Sequence, residues 1–279
     1  MIVAISGASA GIGEALAREL ARRGACLSLC ARRLEKLEAL NGELGGNHLI
    51  VRADVSKPKD CDAFIAQTLS RFGRIDTLVC NAGFGLYRLA AEFTSDEMRR
   101  IFATNVFGTT DLIRAAVPSM RKQPPREGWR GQIMIVSSAA ARRGVPYLGP
   151  YSATKAAQLS IAEALRVELR PDRIAVTSVH PIMTSTDFGR VAETSGDVKL
   201  PRHVIGAHQS VEHVVGDMMR AIRRPRPEVW PHRLTRWGLI GAMMLPRLAD
   251  RVMSRYRRQV AEFNRSAKDQ VPQDPHSHR

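Results

Sequence analysis

Six short apolar runs, each followed by a longer stretch of helical periodicity, constrain this chain more than any other feature of its sequence. They are Ile2 to Ile5, Cys26 to Cys30, His48 to Val51, Thr77 to Cys80, Gln132 to Val136 and Ala175 to Val179. Runs so continuous in apolar residues suit strands covered on both faces, and strands separated by helices pair in parallel through right-handed crossovers. An α/β, doubly wound parallel sheet with helices on both faces follows. A further extended piece at Glu228 to Trp230, after the chain-breaking Arg224-Pro225-Arg226-Pro227, brings the expected sheet to about seven strands. The first helix carries Ile12, Leu16 and Leu20 on one face and is ended by Gly24.

With 279 residues, 44% of them hydrophobic, the chain can bury one large core. Residues 1–230 read as that domain, including an aperiodic loop of about Thr184 to Ser210 that would close over a ligand and a helix from Val211 to Ile222. Residues 231–263 read as a basic helical extension, two amphipathic helices broken at Pro246, and 264–279 as a polar, disordered tail. The start, Met1-Ile2-Val3-Ala4-Ile5, carries none of the marks of a secretion signal, and no apolar stretch nears the ~20 residues of a membrane span. Cys26, Cys30, Cys61 and Cys80 have no CxxC spacing and read as core thiols, with no metal expected. A cytoplasmic protein is expected, with a place on the inner face of a membrane as its other location.

The formal charge is +15, and its excess lies late in the chain, where Arg220 to Arg265 holds twelve arginines against Glu228, Asp250 and Glu262. Leu234 to Arg258 mixes six of those arginines with Trp237, Leu239, Ile240, Met243 and Met244. Three uses fit such a segment: packing on the domain or a dimer partner, a lid over an apolar substrate, or contact with an anionic membrane surface. Nucleic acid is not an expected partner, because neither a recognition motif nor an interleaved aromatic platform accompanies the charge.

Between the first strand and first helix stands Ser6-Gly7-Ala8-Ser9-Ala10-Gly11-Ile12-Gly13. Glycines at such a turn let backbone amides approach a pyrophosphate at a helix N-terminus. Its GxxxGxG spacing resembles that of the short-chain dehydrogenase/reductase family, and later motifs agree: Asp54-Val55 after the third strand, Asn81-Ala82-Gly83 after the fourth, and Pro150-Tyr151-Ser152-Ala153-Thr154-Lys155. The resemblance covers roughly residues 1–190 and implies a Rossmann-type, nicotinamide-dependent oxidoreductase, a homodimer or homotetramer, with Asp54 and Val55 around adenine. The second strand ends Cys30-Ala31-Arg32-Arg33, without the carboxylate that would bind the ribose 2′-hydroxyl of NAD. Arg32 can instead pair with a 2′-phosphate, helped by Ser9, so NADP(H) is expected over NAD(H).

Tyr151 and Lys155, four apart in a helical stretch, project from one face, where an ammonium favours the phenolate of a group that otherwise ionises near pH ~10. The pair can move a proton to or from a substrate oxygen. By the resemblance, Ser138, thirteen residues before Tyr151, orients that oxygen, with Ser137 as its neighbour and rival. Asn105 completes the family's tetrad and holds a water in a relay with Lys155. The resemblance also implies that Pro181 begins the turn beside the nicotinamide and that Thr186 contacts the carboxamide, but Ile182 stands where the family has glycine. Phe84, Leu86, Val145, Tyr147, Leu148, Ile182, Met183 and Phe188 are the candidates for an apolar pocket, and a hydrophobic ketone or secondary alcohol is the expected substrate. The competing reading is a catalytically silent NADP(H)-binding sensor or scaffold.

Overall fold

The computed structural model describes residues 1–184, 198 and 209–269. The apolar runs form β1 (Ile2–Ser6), β2 (Cys26–Ala31), β3 (Leu49–Arg52), β4 (Thr77–Cys80), β5 (Gly131–Val136) and β6 (Ile174–Val179), and the late extended piece forms β7 (Glu228–Val229). All pair in parallel in one sheet of order β3-β2-β1-β4-β5-β6-β7. Strand order reverses direction between β1 and β4, so the crevice beyond their C-terminal ends is the place for a ligand. Several strands run one residue past the apolar runs, as at Ser6, Arg52 and Gly131, because backbone pairing continues where the side chain need not be apolar.

Both faces of the sheet are covered, as the continuous apolar runs require. Val3 and Ile5 point to α1 (Gly11–Arg22), α2 (Leu34–Glu43) and α7 (Val211–Arg223), while Ala4 and Leu78 point to α3 (Pro58–Phe72), α5 (Gly108–Lys122) and α6 (Gly149–Glu168). The helix α4 (Ser95–Phe102) starts on a capping box from Thr94 and Glu97 and passes into α5 through a π-helical turn, Ala103–Phe107.

The basic extension forms α8 (Arg233–Met244) and α9 (Pro246–Asp269), separated at the proline. Both pack over the C-terminal edge of the sheet: Val260 is buried with Tyr87, Tyr147 and Leu148, and the Tyr147 hydroxyl donates to the Arg257 carbonyl at 3.4 Å. α9 continues past Asn264, where order was expected to end; residues 270–279 lie outside the described residues, as does most of the 184–210 loop. Among the described residues no helix is long and apolar enough to cross a membrane.

Candidate active site

β1 ends at Ser6, and the backbone then turns through Gly7 at φ +67°. A side chain there is excluded twice over, by that φ and because a Cβ would stand 2.8 Å from Ala82 Cα. The Asn81 amide donates to the carbonyls of Ser6 (3.0 Å) and Gly7 (3.1 Å), while Ser6 Oγ accepts from the backbone amides of Asn81 and Ala82, both at 3.1 Å. Loop and fourth-strand turn are thereby stapled together. The N-terminus of α1 beyond it begins at Ala10 with no side-chain cap, leaving first-turn amides for an anion.

From this loop a cavity of about 860 Å³ runs along the sheet edge to α6. Of the residues singled out in the sequence, it is lined by Gly7, Ser9, Gly11, Ile12, Arg32, Asp54, Val55, Asn81, Ala82, Gly83, Ser138, Tyr151, Lys155 and Pro181. Gly13 is not on the wall: it lies under the loop, where a Cβ would come 2.5 Å from Asn81 Nδ2, so its smallness serves packing instead of ligand contact. Thr186 and Phe188 lie outside the described residues. At the end of β2, Arg33 was passed over in the sequence, yet its guanidinium donates to Ser9 Oγ at 3.1 Å, and it lines the cavity beside the exposed Arg32. Asp54 is the one carboxylate among the described lining residues, and its Oδ1 accepts from the amide (3.1 Å) and hydroxyl (2.8 Å) of Ser56. The uncapped helix, the glycine cradle and the paired arginines fit a phosphorylated dinucleotide.

At the other end, the Ser138 hydroxyl lies near enough to the Tyr151 phenol to favour its ionised form. The neighbouring Ser137 hydroxyl is buried and donates to the Lys155 carbonyl at 2.9 Å, which leaves Ser138 as the serine facing the phenol. Burial pushes Tyr151 up to about 12, against a smaller downward pull from Ser138. Lys155, 4% exposed, has Nζ 5.6 Å from the Tyr151 ring centre, and burial pushes it down to about 7. Nζ donates to Val136 O and Gln158 Oε1, each at 2.9 Å.

Asn105, expected to hold a water in a relay with Lys155, does not line the cavity. Its side chain is spent on structure: Oδ1 accepts from Phe84 N at 3.0 Å, and Nδ2 donates to Phe84 O at 2.9 Å and Thr154 Oγ1 at 3.0 Å. Its backbone carbonyl, in the π-helical turn, accepts from Gln158 Nε2 at 2.6 Å and Thr109 Oγ1 at 2.9 Å.

The apolar end is walled by Phe84, Val145, Leu148, Ile182 and Met183 with Leu239, Val252, Met253 and Tyr256 of α8 and α9. Leu86 and Tyr147 are buried behind that wall, and Tyr87 lines it instead. The described non-glycine residues at positive φ are Glu127, Tyr147 and Arg173, so Ile182 occupies a backbone that makes no demand for glycine and adds apolar surface. Beneath Ser138 sits His180, also missed in the sequence. Its Nδ1 is 3.2 Å from Ser138 O, its Nε2 2.9 Å from Ser178 Oγ, and its ring stacks on Trp230 at 4.3 Å. Burial holds His180 down at about 4, hence neutral.

The family model described as short chain dehydrogenase matches residues 1–195. The chain belongs to the short-chain dehydrogenase family. A relative from Arabidopsis thaliana named 11-beta-hydroxysteroid dehydrogenase-like 3 is 41% identical over 192 residues, covering 67% of this chain and 60% of the relative. The chain spans about 60% of the length of the curated relatives it first matches. Among solved short-chain dehydrogenases and related folds, an alcohol dehydrogenase from Thermococcus sibiricus complexed with 5-hydroxy-NADP superposes with a TM-score of 0.71 at 28% identity, covering 82% of this chain and 94% of that one. A short-chain dehydrogenase from Sphingobium yanoikuyae in complex with NADPH gives 0.73 at 27%, covering 89% and 95%.

Proposed function

We propose that this short-chain dehydrogenase is an NADP(H)-dependent carbonyl reductase and secondary-alcohol dehydrogenase acting on an apolar small molecule. One observation carries the reading: a single cavity joins the glycine cradle and Arg32–Arg33 at one end to the Ser138–Tyr151 pair and an apolar wall at the other. The relatives named for hydroxysteroids support a bulky apolar alcohol or ketone as substrate, and the neighbours complexed with NADPH and 5-hydroxy-NADP support the cofactor.

Bound, the cofactor supplies or accepts the hydride. The chain's own residues then handle the oxygen. Ser138 orients it by hydrogen bonding, and Tyr151 gives it a proton in reduction or takes one in oxidation. Burial keeps the phenol protonated at neutral pH, as a proton donor must be; oxidation requires the phenolate, which the Lys155 ammonium favours. Gly7, Gly11, Ile12, Asn81, Ala82, Gly83, Asp54, Val55 and Pro181 would hold the cofactor along the crevice, and Arg32 with Arg33 its 2′-phosphate.

An anionic membrane surface is the partner that fits the extension. Leu234, Trp237 and Met244 lie along one side of α8 and are 76%, 67% and 77% exposed, opposite Thr235 and Leu239, which line the cavity. Arg233, Arg236, Arg247, Arg251 and Arg255 on the same two helices are exposed, Arg236 within 3.8 Å of Glu228 and Arg255 at the cavity wall. Val252 belongs both to the exposed apolar surface and to the cavity wall, so a lipid-soluble substrate would pass from one to the other.

The test of the reaction is NADPH consumption with a panel of apolar ketones, aldehydes and quinones. Turnover of at least one is expected. Tight NADPH binding without turnover of any carbonyl, or of the matching alcohols with NADP⁺, would instead make the chain a sensor or scaffold.

A further inference from the structure

Gln158 is completely buried, one helical turn beyond Lys155 on the same side of α6. Its amide has one allowed orientation. Nε2 donates to Asn105 O at 2.6 Å and to Thr109 Oγ1 at 2.9 Å, which turns Oε1 onto Lys155 Nζ at 2.9 Å. Flipping the amide would set its NH₂ against the lysine donor and its oxygen against the Asn105 carbonyl, losing two hydrogen bonds together. The Asn105 carbonyl accepts this contact because it lies in the π-helical turn, Ala103–Phe107, between α4 and α5. The other acceptor of Nζ, Val136 O at 2.9 Å, comes from the end of β5.

Among the described residues, the surroundings of Nζ contain no opposing charge. Tyr151 shares its helix, His180 lies buried and neutral beyond Ser138, and β5, the π turn and α5 present only the Val136 carbonyl, Asn105 and Thr109. Among the described residues no carboxylate pairs with Lys155, and burial is the cause of its lowered pKa. An ammonium here depends on neutral dipoles, and their number and aim decide its charge.

We propose that Gln158 is a positioning residue that keeps Lys155 protonated and fixed beside Tyr151, by presenting an immobilised amide oxygen to its ammonium. In this chain the Gln158 side chain itself spans the gap between the Asn105 carbonyl and Lys155. The inference rests on the reading of Tyr151 and Lys155 as the proton-transfer pair.

Titration of the ¹³Cε signals in lysine-labelled protein tests it without cofactor or turnover; the chain has seven lysines, and Lys155→Met assigns the signal wanted. In Gln158→Met, nearly equal in volume but lacking the oxygen, the Lys155 midpoint is expected to fall by about one unit or more. In alcohol oxidation with NADP⁺, the rising limb of kcat should move to higher pH while KM for the alcohol holds. If Gln158→Met fails to fold, Gln158→Asn, whose amide is one methylene shorter, should shift the midpoint in the same direction. An unchanged Lys155 midpoint overturns the proposal. Full turnover in Lys155→Met would overturn the reading of the site, a separate failure, since the titration judges Gln158 on its own.

Discussion

Lys155 is a cation in a buried site where neutral dipoles alone among the described residues offset its desolvation, and the fold carries the cost. Its pKa is about 7 in the folded chain against an ordinary 10.5, so between those values the unfolded chain binds more protons and stability rises with pH. Below about pH 7 both states are protonated and the whole penalty, on the order of a few kcal/mol, is present. Urea unfolding at pH 6 and pH 9 should therefore find Lys155→Met stabilised at the lower pH and its pH slope flattened; an unaltered slope would contradict the burial argument. At this scale the sequence was legible where function depends on local spacing. Tyr151 and Lys155 share a helix turn, and Ser138 follows a recognisable strand. Gln158 was also within reach, three residues after Lys155, but the spacing of a polar residue on a helix does not tell whether its partner is lysine or water. His180 and Trp230 lie fifty residues apart and meet through the β6–β7 pairing, of which neither carries a local sign.

At the scale of elements, the join between β2 and α2 is proposed to set cofactor choice. Ala31 ends the strand without a carboxylate, and the next two residues bring arginines to the cavity, Arg33 braced on Ser9. Charge-assisted contacts to a phosphate are worth about 1.5–3 kcal/mol each, so Arg32→Ala with Arg33→Ala should weaken NADPH binding at least tenfold and leave NADH binding nearly unchanged. Fluorescence titration of both cofactors measures this; an unaltered NADPH/NADH ratio would remove the arginines from that role. The strands were readable because each is apolar on both faces, whereas their ends were not, since Ser6 and Gly131 extend the pairing without an apolar side chain. The π-helical turn that commits the Asn105 side chain to Phe84 and Thr154 has no signature in a stretch as ordinary as Ala103–Phe107.

At the scale of the molecule, the doubly wound sheet brings the glycine loop and the helix of Tyr151 and Lys155 to one edge, and α8 with α9 closes the apolar end of the crevice they share. The charge and apolar content of that extension were plain in the sequence; which side chains would turn inward was not, because Leu239 and Trp237 are equally apolar and only packing separates them. Burial of Leu234, Trp237 and Met244 in an apolar phase is worth about 1.5–3 kcal/mol each. Flotation with phosphatidylserine vesicles at low salt should therefore carry the protein, with loss in high salt, with phosphatidylcholine alone, and in Leu234→Ser/Trp237→Ser/Met244→Ser. Concentration-dependent dimerisation abolished by the same triple variant, with no vesicle binding, would assign the patch to a second copy of the chain.

Tyr151 is the proposed proton donor to the carbonyl oxygen. Turnover of the best carbonyl found with NADPH should fall by three orders of magnitude or so in Tyr151→Phe, which removes the proton donor while keeping the ring, and NADPH should bind the variant about as well as the wild type. Turnover retained in Tyr151→Phe, with the cofactor bound, would mean that the proton comes from elsewhere and that the Ser138–Tyr151 pair is not the centre of the chemistry.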